Sequence, residues 1–115
     1  MVTAVLTTES FFKCLSDPIR LNATLLIQQE GELCVCELVA ALNQSQPKIS
    51  RHLSQLRACG ILDDTRRGQW VFYSLAKTLP DWATAILHSS VDANQTTLNQ
   101  FISNLQAMDV RPQCN

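Results

Sequence analysis

Two cysteines separated by a single residue are the feature of this 115-residue chain best suited to chemistry. Cys34 and Cys36 flank Val35, and a pair of thiolates prefers soft ions such as As(III), Sb(III), Cd(II) or Pb(II) to Mg(II) or Ca(II). Side chains at i and i+2 lie about 200° apart on a regular helix, but on the same face of an extended chain. An ion held by both sulfurs therefore requires an extended or unwound backbone at this point.

A second group of chemically capable side chains lies on a helix predicted from Gln46 to about Ala58. Its apolar stripe, Ile49, Leu53 and Leu56, recurs at helical spacing, and Ser45 is a suitable N-cap. The polar residues between are of the kinds that bind base edges and phosphates. The residues we expect to contact DNA are Ser45, Gln46, Lys48, Ser50, Arg51, His52 and Gln55, joined by Arg66, Arg67 and Gly68 at a hairpin tip.

The elements around these residues form a recognisable order. A short helix with Leu38, Ala41 and Leu42 precedes the turn at residues 43–45, and two strands, about 62–66 and 70–75, follow the polar helix. Two short helices with a tight turn and then a hairpin predict a winged helix-turn-helix, mostly α with a β-hairpin wing. We expect one domain over residues 1–115, with the helix-turn-helix at about 33–58 and the wing at about 62–75.

Flanking helices complete the predicted fold. A first helix is expected at about 10–15, and a second begins after Asp17, with Pro18 at its first position, and stops at Gly31. Helices are also expected from Pro80 and over about 94–108, where apolar residues recur at helical spacing.

Charge is unevenly distributed along the chain. The net charge is −1, but residues 43–77 hold six Lys/Arg and two acids, for +4, while the other residues hold three Lys/Arg and eight acids, for −5. A basic segment of this size is typical of nucleic-acid binding. No apolar stretch approaches the ~18 residues of a membrane helix, and no signal peptide is apparent, so we expect a cytoplasmic protein without a membrane partner. Five cysteines are an odd number for a disulfide scaffold and favour a reducing compartment.

Enzymatic chemistry is not indicated. The chain has no Cys-x-x-Cys and no His-Glu-x-x-His, and its three glycines form no phosphate loop. A thiol redox switch at Cys34 and Cys36 stays an alternative, although a disulfide between residues i and i+2 is strained. A DNA-free interaction module is a further alternative.

Several segments closely resemble those of the ArsR/SmtB family of metal-responsive repressors, in its arsenic-sensing branch. They include its metal box, ELCVC(D/E)L, and its SQPxxSxHL recognition helix. The segments that carry the resemblance are residues 15–21, 32–38, 45–53, 67–73 and 79–82.

The resemblance implies a homodimeric repressor that leaves its operator when metal binds, and needs no cofactor to bind DNA. It implies that Cys34 and Cys36 are the inducer ligands and that helices at about 8–16 and 80–108 form the dimer interface. It also implies that residues 46–55 read the major groove of double-stranded operator DNA and that residues 66–68 are the wing.

One position departs from the family pattern. The arsenic-sensing branch often has a third cysteine three residues after the second, and Val39 stands there in this chain. Candidates for a third ligand are Cys14, Cys59, Cys114 and a solvent oxygen, although Cys14 and Cys59 are also suited to the core. The cysteine pair and the resemblance to the arsenic-sensing branch make As(III) or Sb(III) the expected inducer. Cd(II) or Pb(II) is an alternative, although residues 1–10 lack the cysteines that sensors of those ions add. The family's zinc site is not supported, because residues 94–108 contain no histidine.

Overall fold

The computed structural model describes residues 6–108, which form six helices and three strands. Their bounds are α1 Thr8–Cys14, α2 Pro18–Glu30, β1 Glu32–Cys34, α3 Val35–Leu42, α4 Gln46–Ala58, β2 Leu62–Arg67, β3 Trp70–Leu75, α5 Asp81–Ala93 and α6 Gln95–Gln106. Among these residues, no helix is long and apolar enough to cross a membrane.

Local capping determines where the central helices begin and end, as the sequence predicts. The Asp17 carboxylate accepts hydrogen bonds from the Ile19 and Arg20 amides at 2.8 and 3.2 Å, which starts α2. Gly31 ends this helix with a φ of 92°, a value that disfavours other residues. Ser45 caps α4 through its hydroxyl, which accepts from the Lys48 amide.

The sheet has one strand more than the sequence analysis predicts. β1 pairs antiparallel with β3, which also pairs with β2, in the order β1-β3-β2. Leu33 lies opposite Tyr73, and Cys34 lies opposite Phe72. A strand of three residues is too short to show the alternation by which strands are predicted from sequence.

The core is centred on α2, whose buried side chains Leu25, Leu26 and Ile27 meet those of the helices and the sheet around it. α3 packs on α6, where the Asn104 amide donates a hydrogen bond to the Ala41 carbonyl at 2.9 Å. This arrangement confirms the predicted fold class, a mostly helical winged helix-turn-helix. It places α3, α4 and the wing next to one another.

Candidate metal centre and nucleic-acid interface

The sulfurs of Cys34 and Cys36 lie 3.0 Å apart. Cys34 ends β1 and caps α3, with an extended backbone at φ −79° and ψ 156°, and Cys36 is in the first turn of the helix. The extended backbone expected for a shared ion is therefore present in the free protein. Of the two arrangements expected from the spacing, extended or unwound, the protein has the extended one, and both sulfurs face the same side without unwinding of α3.

Burial and one carboxylate shape this pair. Cys34 is buried and Cys36 is half-buried. The Glu37 carboxylate, itself buried, accepts a hydrogen bond from the Cys34 amide at 2.9 Å and so fixes the start of α3. Burial, first of all, and then the neighbouring Cys34 and Glu37 together raise the pKa of Cys36 to about 12. The Cys36 thiol therefore keeps its proton at neutral pH.

The two sulfurs open into a cavity of about 330 Å³ that adjoins α4 and the wing, the two elements predicted to contact DNA. The residues that line it are Cys34, Val35 and Cys36 near the start of α3, Gln46 and Ser50 from α4, and Gln69, Trp70, Val71 and Tyr73 from the wing. Anything that binds the thiols therefore sits against the N-terminal end of α4 and against β3. The thiols and Gln46 are recognisable from the sequence, but the wall formed by the wing is not, because it arises from tertiary packing.

The described residues supply two sulfurs to this centre. Within residues 6–108 no group of three or more His, Cys, Asp or Glu side chains is placed to hold a metal ion. Cys14 and Cys59 are joined in a disulfide and line a different cavity, so neither completes the site in this structure. Val39 is half-buried against the core, and Cys114 lies outside the described residues. Two soft donors suit a thiophilic ion that accepts oxygen as its third ligand.

The outer face of α4 presents most of the polar side chains predicted to contact DNA. Ser45, Gln46, Lys48 and Arg51 are exposed. Ser50 is half-buried, and its hydroxyl accepts a hydrogen bond from the Gln46 amide at 3.2 Å. This face is contiguous and close to the thiol cavity, since Gln46 and Ser50 belong to both.

His52, which the sequence predicts among the DNA contacts, is buried on the side of α4 that faces the start of α2. Its side chain is packed toward the start of α2, with Nδ1 at 3.1 Å from the Arg20 guanidinium and 4.0 Å from the Asp17 carboxylate. Burial lowers the pKa of His52, and the nearby Asp17 only partly opposes this. The position was readable from sequence, because residue 52 is three after Ile49 and four before Leu56, on the apolar stripe.

Arg20 holds the C-terminal half of α4, a role the sequence analysis missed. Its guanidinium donates to the Gln55 side chain at 2.6 Å and to the Cys14 carbonyl at 2.6 Å. Gln55 is exposed but engaged by this contact. Because one guanidinium contacts both α1 and α4, it fixes these helices relative to each other.

The wing is a tight hairpin with its basic residues in two different environments. Arg66 is exposed, and Gly68 makes the turn with a φ of 62°. Arg67 is half-buried instead: its guanidinium makes two hydrogen bonds to the Glu32 carboxylate, at 2.8 and 2.9 Å, and lies 4.8 Å from the Phe72 ring centroid. Arg67, which the sequence predicts as a DNA contact at the hairpin tip, is therefore also held by Glu32 of β1.

Comparison with known proteins places these features in a family. The family described as "Bacterial regulatory protein, arsR family" matches residues 17–64. The chain is also 56% identical over 109 residues to the arsenic resistance transcriptional regulator ArsR1 of Pseudomonas putida KT2440, covering 95% of this chain and 85% of that protein. The chain belongs to the ArsR family. Like other ArsR-family members it is a DNA-binding transcriptional regulator, and the prediction that it is not an enzyme is confirmed.

Further ArsR-family similarities extend over most of the chain. It is 47% identical to the arsenical resistance operon repressor of Escherichia coli K12 over 94 residues, covering 82% of this chain and 80% of that protein. Among solved structures, reduced HlyU from Vibrio cholerae has a TM-score of 0.66 at 28% identity, covering 74% of this chain and 85% of that one. The repressor BigR from Xylella fastidiosa has a TM-score of 0.62 at 29% identity, covering 74% and 83%. The predicted family and fold are thus confirmed.

Proposed function

We propose that this ArsR-family regulator represses an arsenic-resistance operon and leaves its operator when As(III) or Sb(III) binds Cys34 and Cys36. The observation that carries the proposal is the 3.0 Å separation of the two sulfurs in a cavity shared with α4 and the wing. The arsenic resistance regulators named among its relatives support the choice of inducer.

The chemistry of a two-thiol site suits arsenite. Arsenous acid, As(OH)₃, reacts with two thiols to form two As–S bonds as two As–O bonds break. Each departing hydroxide takes a thiol proton and leaves as water, so the proton that Cys36 keeps at neutral pH is no obstacle. One oxygen stays on arsenic as the third ligand, which fits a site where Val39 replaces a third cysteine.

Release follows from what the two cysteines contact. Arsenic bonded to both sulfurs replaces their present direct contact and shifts the junction of β1 with α3. That junction is paired with β3 at Phe72, and the cavity beyond it is lined by Gln46 and Ser50. Movement there displaces the N-terminal end of α4 and the wing together, and these are the elements proposed to hold the operator.

The operator contacts we propose follow from exposure. Polar side chains of α4 read base edges in the major groove of double-stranded DNA, and the wing binds phosphate or the minor groove. The proposed set is Ser45, Gln46, Lys48, Ser50, Arg51 and Gln55 from α4 with Arg66, Arg67 and Gly68 from the wing. His52 is left out because it is 9% exposed and faces α2.

We propose further that the regulator is a cytoplasmic homodimer joined through α1, α5 and α6. Exposed aromatic side chains mark this face: Phe12 is 52% exposed and Trp82 36%. The buried Phe11 ring lies between them, with its centroid 5.5 Å from Phe12 and 5.2 Å from Trp82. Large apolar side chains exposed together are typical of interaction surfaces, and a dimer places two α4 helices on one operator.

The test is a titration of the reduced protein on its own upstream DNA, followed by fluorescence anisotropy. As(III) and Sb(III) are expected to release wild-type protein at lower concentrations than Cd(II), Pb(II) or Zn(II). The Cys34→Ser/Cys36→Ser variant is expected to stay on the DNA, with Cys59→Ser as the matched control that still responds to As(III). Release by Cd(II) or Pb(II) in preference to As(III) would support the alternative, a Cd(II)/Pb(II)-responsive repressor, and release of the double variant would refute the ligand assignment.

A further inference from the structure

A second cysteine pair joins α4, the helix predicted to contact DNA, to α1. Cys14 is the last residue of α1, and Cys59 follows the last residue of α4 as its C-cap. The two are joined by a disulfide that spans 45 positions of sequence, with their Cα atoms 6.8 Å apart. We propose that Cys14 and Cys59 are a reversible dithiol–disulfide switch, through which an oxidant tightens operator binding by fixing α4 on α1.

The surroundings of this pair suit reaction with a small oxidant. Both cysteines line a cavity of about 430 Å³ together with Lys13 and Arg20, and none of the described residues that line it is acidic. Cys59 is half-buried, so that it is reachable, while Cys14 is 7% exposed. Cationic neighbours stabilise a thiolate, which is the reactive form of cysteine.

The other pair is less suited to this role. Cys34 and Cys36 are two residues apart, a spacing that strains a disulfide. The redox role is therefore assigned to Cys14 and Cys59, whereas Cys34 and Cys36 are the proposed arsenic ligands.

The reaction balances with a hydroperoxide as oxidant. The Cys59 thiolate attacks one peroxide oxygen, the O–O bond breaks, and a sulfenic acid forms with release of water or alcohol. Cys14 then attacks the Cys59 sulfur, the S–O bond breaks, and a second water leaves as the disulfide forms. Two thiols lose two electrons and two protons, and a cellular dithiol reverses the reaction by thiol–disulfide exchange.

The consequence for DNA binding follows from the contacts at this point. Arg20 also holds the C-terminal half of α4 to α1, through hydrogen bonds to Gln55 and to the Cys14 carbonyl that involve neither sulfur. The disulfide adds a covalent link at the same place and restricts α4 to the orientation in which its polar face is exposed. Fixing a binding element in its bound orientation lowers the entropy lost on association.

The experiment compares oxidised and reduced full-length protein without any metal, so it does not depend on the proposed arsenic response. Treatment with hydrogen peroxide at low concentration is expected to lower the mass of the protein by two hydrogens, as measured by mass spectrometry. A non-reducing digest of the oxidised protein is expected to contain a Cys14–Cys59 cross-linked peptide. The operator Kd, from fluorescence anisotropy, is expected to fall about fivefold or more on oxidation and to return on treatment with a dithiol.

Matched variants show whether the effect belongs to this pair. Cys59→Ser, at the more exposed position, is expected to bind the operator with the reduced protein's affinity whether or not peroxide is present, and Cys14→Ser is expected to do the same. An equal operator Kd in the two states of the wild-type protein would overturn the proposal, as would a digest in which Cys34 and Cys36 form the disulfide. Failure of arsenite to release the protein would refute the proposed inducer and leave this result intact.

Discussion

Arg67 in the wing and Glu32 in the thiol-bearing strand form a two-point ion pair, with N–O distances of 2.8 and 2.9 Å. Glu32 is two residues before Cys34 on β1, and Arg67 lies at the end of β2 beside the hairpin turn. The pair therefore connects the proposed arsenic site to the part of the wing that is expected to contact DNA.

Glu32→Gln is expected to weaken this connection. Release of the operator should then require a several-fold higher arsenite concentration, because movement at Cys34 is no longer transmitted to the wing through the Glu32–Arg67 ion pair. The free energy of unfolding should change by less than about 1 kcal/mol, since both side chains are partly exposed. Glu30→Gln, at the end of α2, is the matched control with unchanged release. An unaltered arsenite response in the Glu32 variant would mean that the wing is not coupled through this pair.

Val39→Cys is expected to increase the response to arsenite. Residues three apart are neighbours on a helix, so a thiol at 39 lies on the same side of α3 as Cys36 and supplies a third sulfur. Half-maximal release should occur at several-fold lower arsenite concentration, measured by anisotropy. Val39→Ser, which introduces a side chain of similar size without a thiol, should show no such gain. A weaker response in the cysteine variant would place position 39 away from the arsenic.

Acid pH is expected to destabilise the protein through His52. The folded-state pKa of this residue is below the ordinary value of 6.5, so the unfolded chain binds the proton more readily. The free energy of unfolding should therefore decrease as pH falls below about 6.5 toward the folded pKa. Urea unfolding between pH 7.5 and 5 measures this decrease in the free energy of unfolding. The decrease should be smaller in His52→Gln, whereas His88→Gln, at an exposed position, should show the same decrease as the wild type. Equal pH profiles for all three proteins would contradict the assignment.

Arg51→Ala is expected to weaken operator binding mainly at low salt. Loss of one phosphate contact reduces the slope of log K against log salt by about 0.9, whereas loss of a base contact changes sequence preference. Lys77→Ala, in the same basic segment but beyond the sheet, serves as the control with an unchanged slope. Binding isotherms at several salt concentrations show whether Arg51 contacts a phosphate or a base. An Arg51 variant that binds the operator as the wild type does would exclude this residue from the DNA interface.

Much of the fold was predictable because it depends on neighbours in sequence. Asp17 and Ser45 cap helices through contacts two or three residues away, and the apolar stripe of α4 has helical spacing. The requirement that Cys34 be extended also followed from its spacing to Cys36. These features need no knowledge of which segments meet in space.

Other features depend on long-range packing and were not predictable in this way. The Cys14–Cys59 disulfide and the contact of Arg67 with Glu32 join residues 45 and 35 positions apart. β1 exists because β3 is beside it, and three residues give no pattern of their own. The inward position of His52 is different, since its place on the apolar stripe was visible but was outweighed by its resemblance to a DNA-reading residue.

The measurement that tests the central claim most directly is the arsenic X-ray absorption spectrum of the reduced, arsenite-loaded protein. A site made by Cys34 and Cys36 predicts two sulfur neighbours and one oxygen around arsenic, the same spectrum in Cys59→Ser, and a loss of both sulfurs in Cys34→Ser/Cys36→Ser. Arsenic that keeps its sulfur neighbours in the double variant, or three sulfurs in the wild type, would contradict a two-thiol centre at the start of α3.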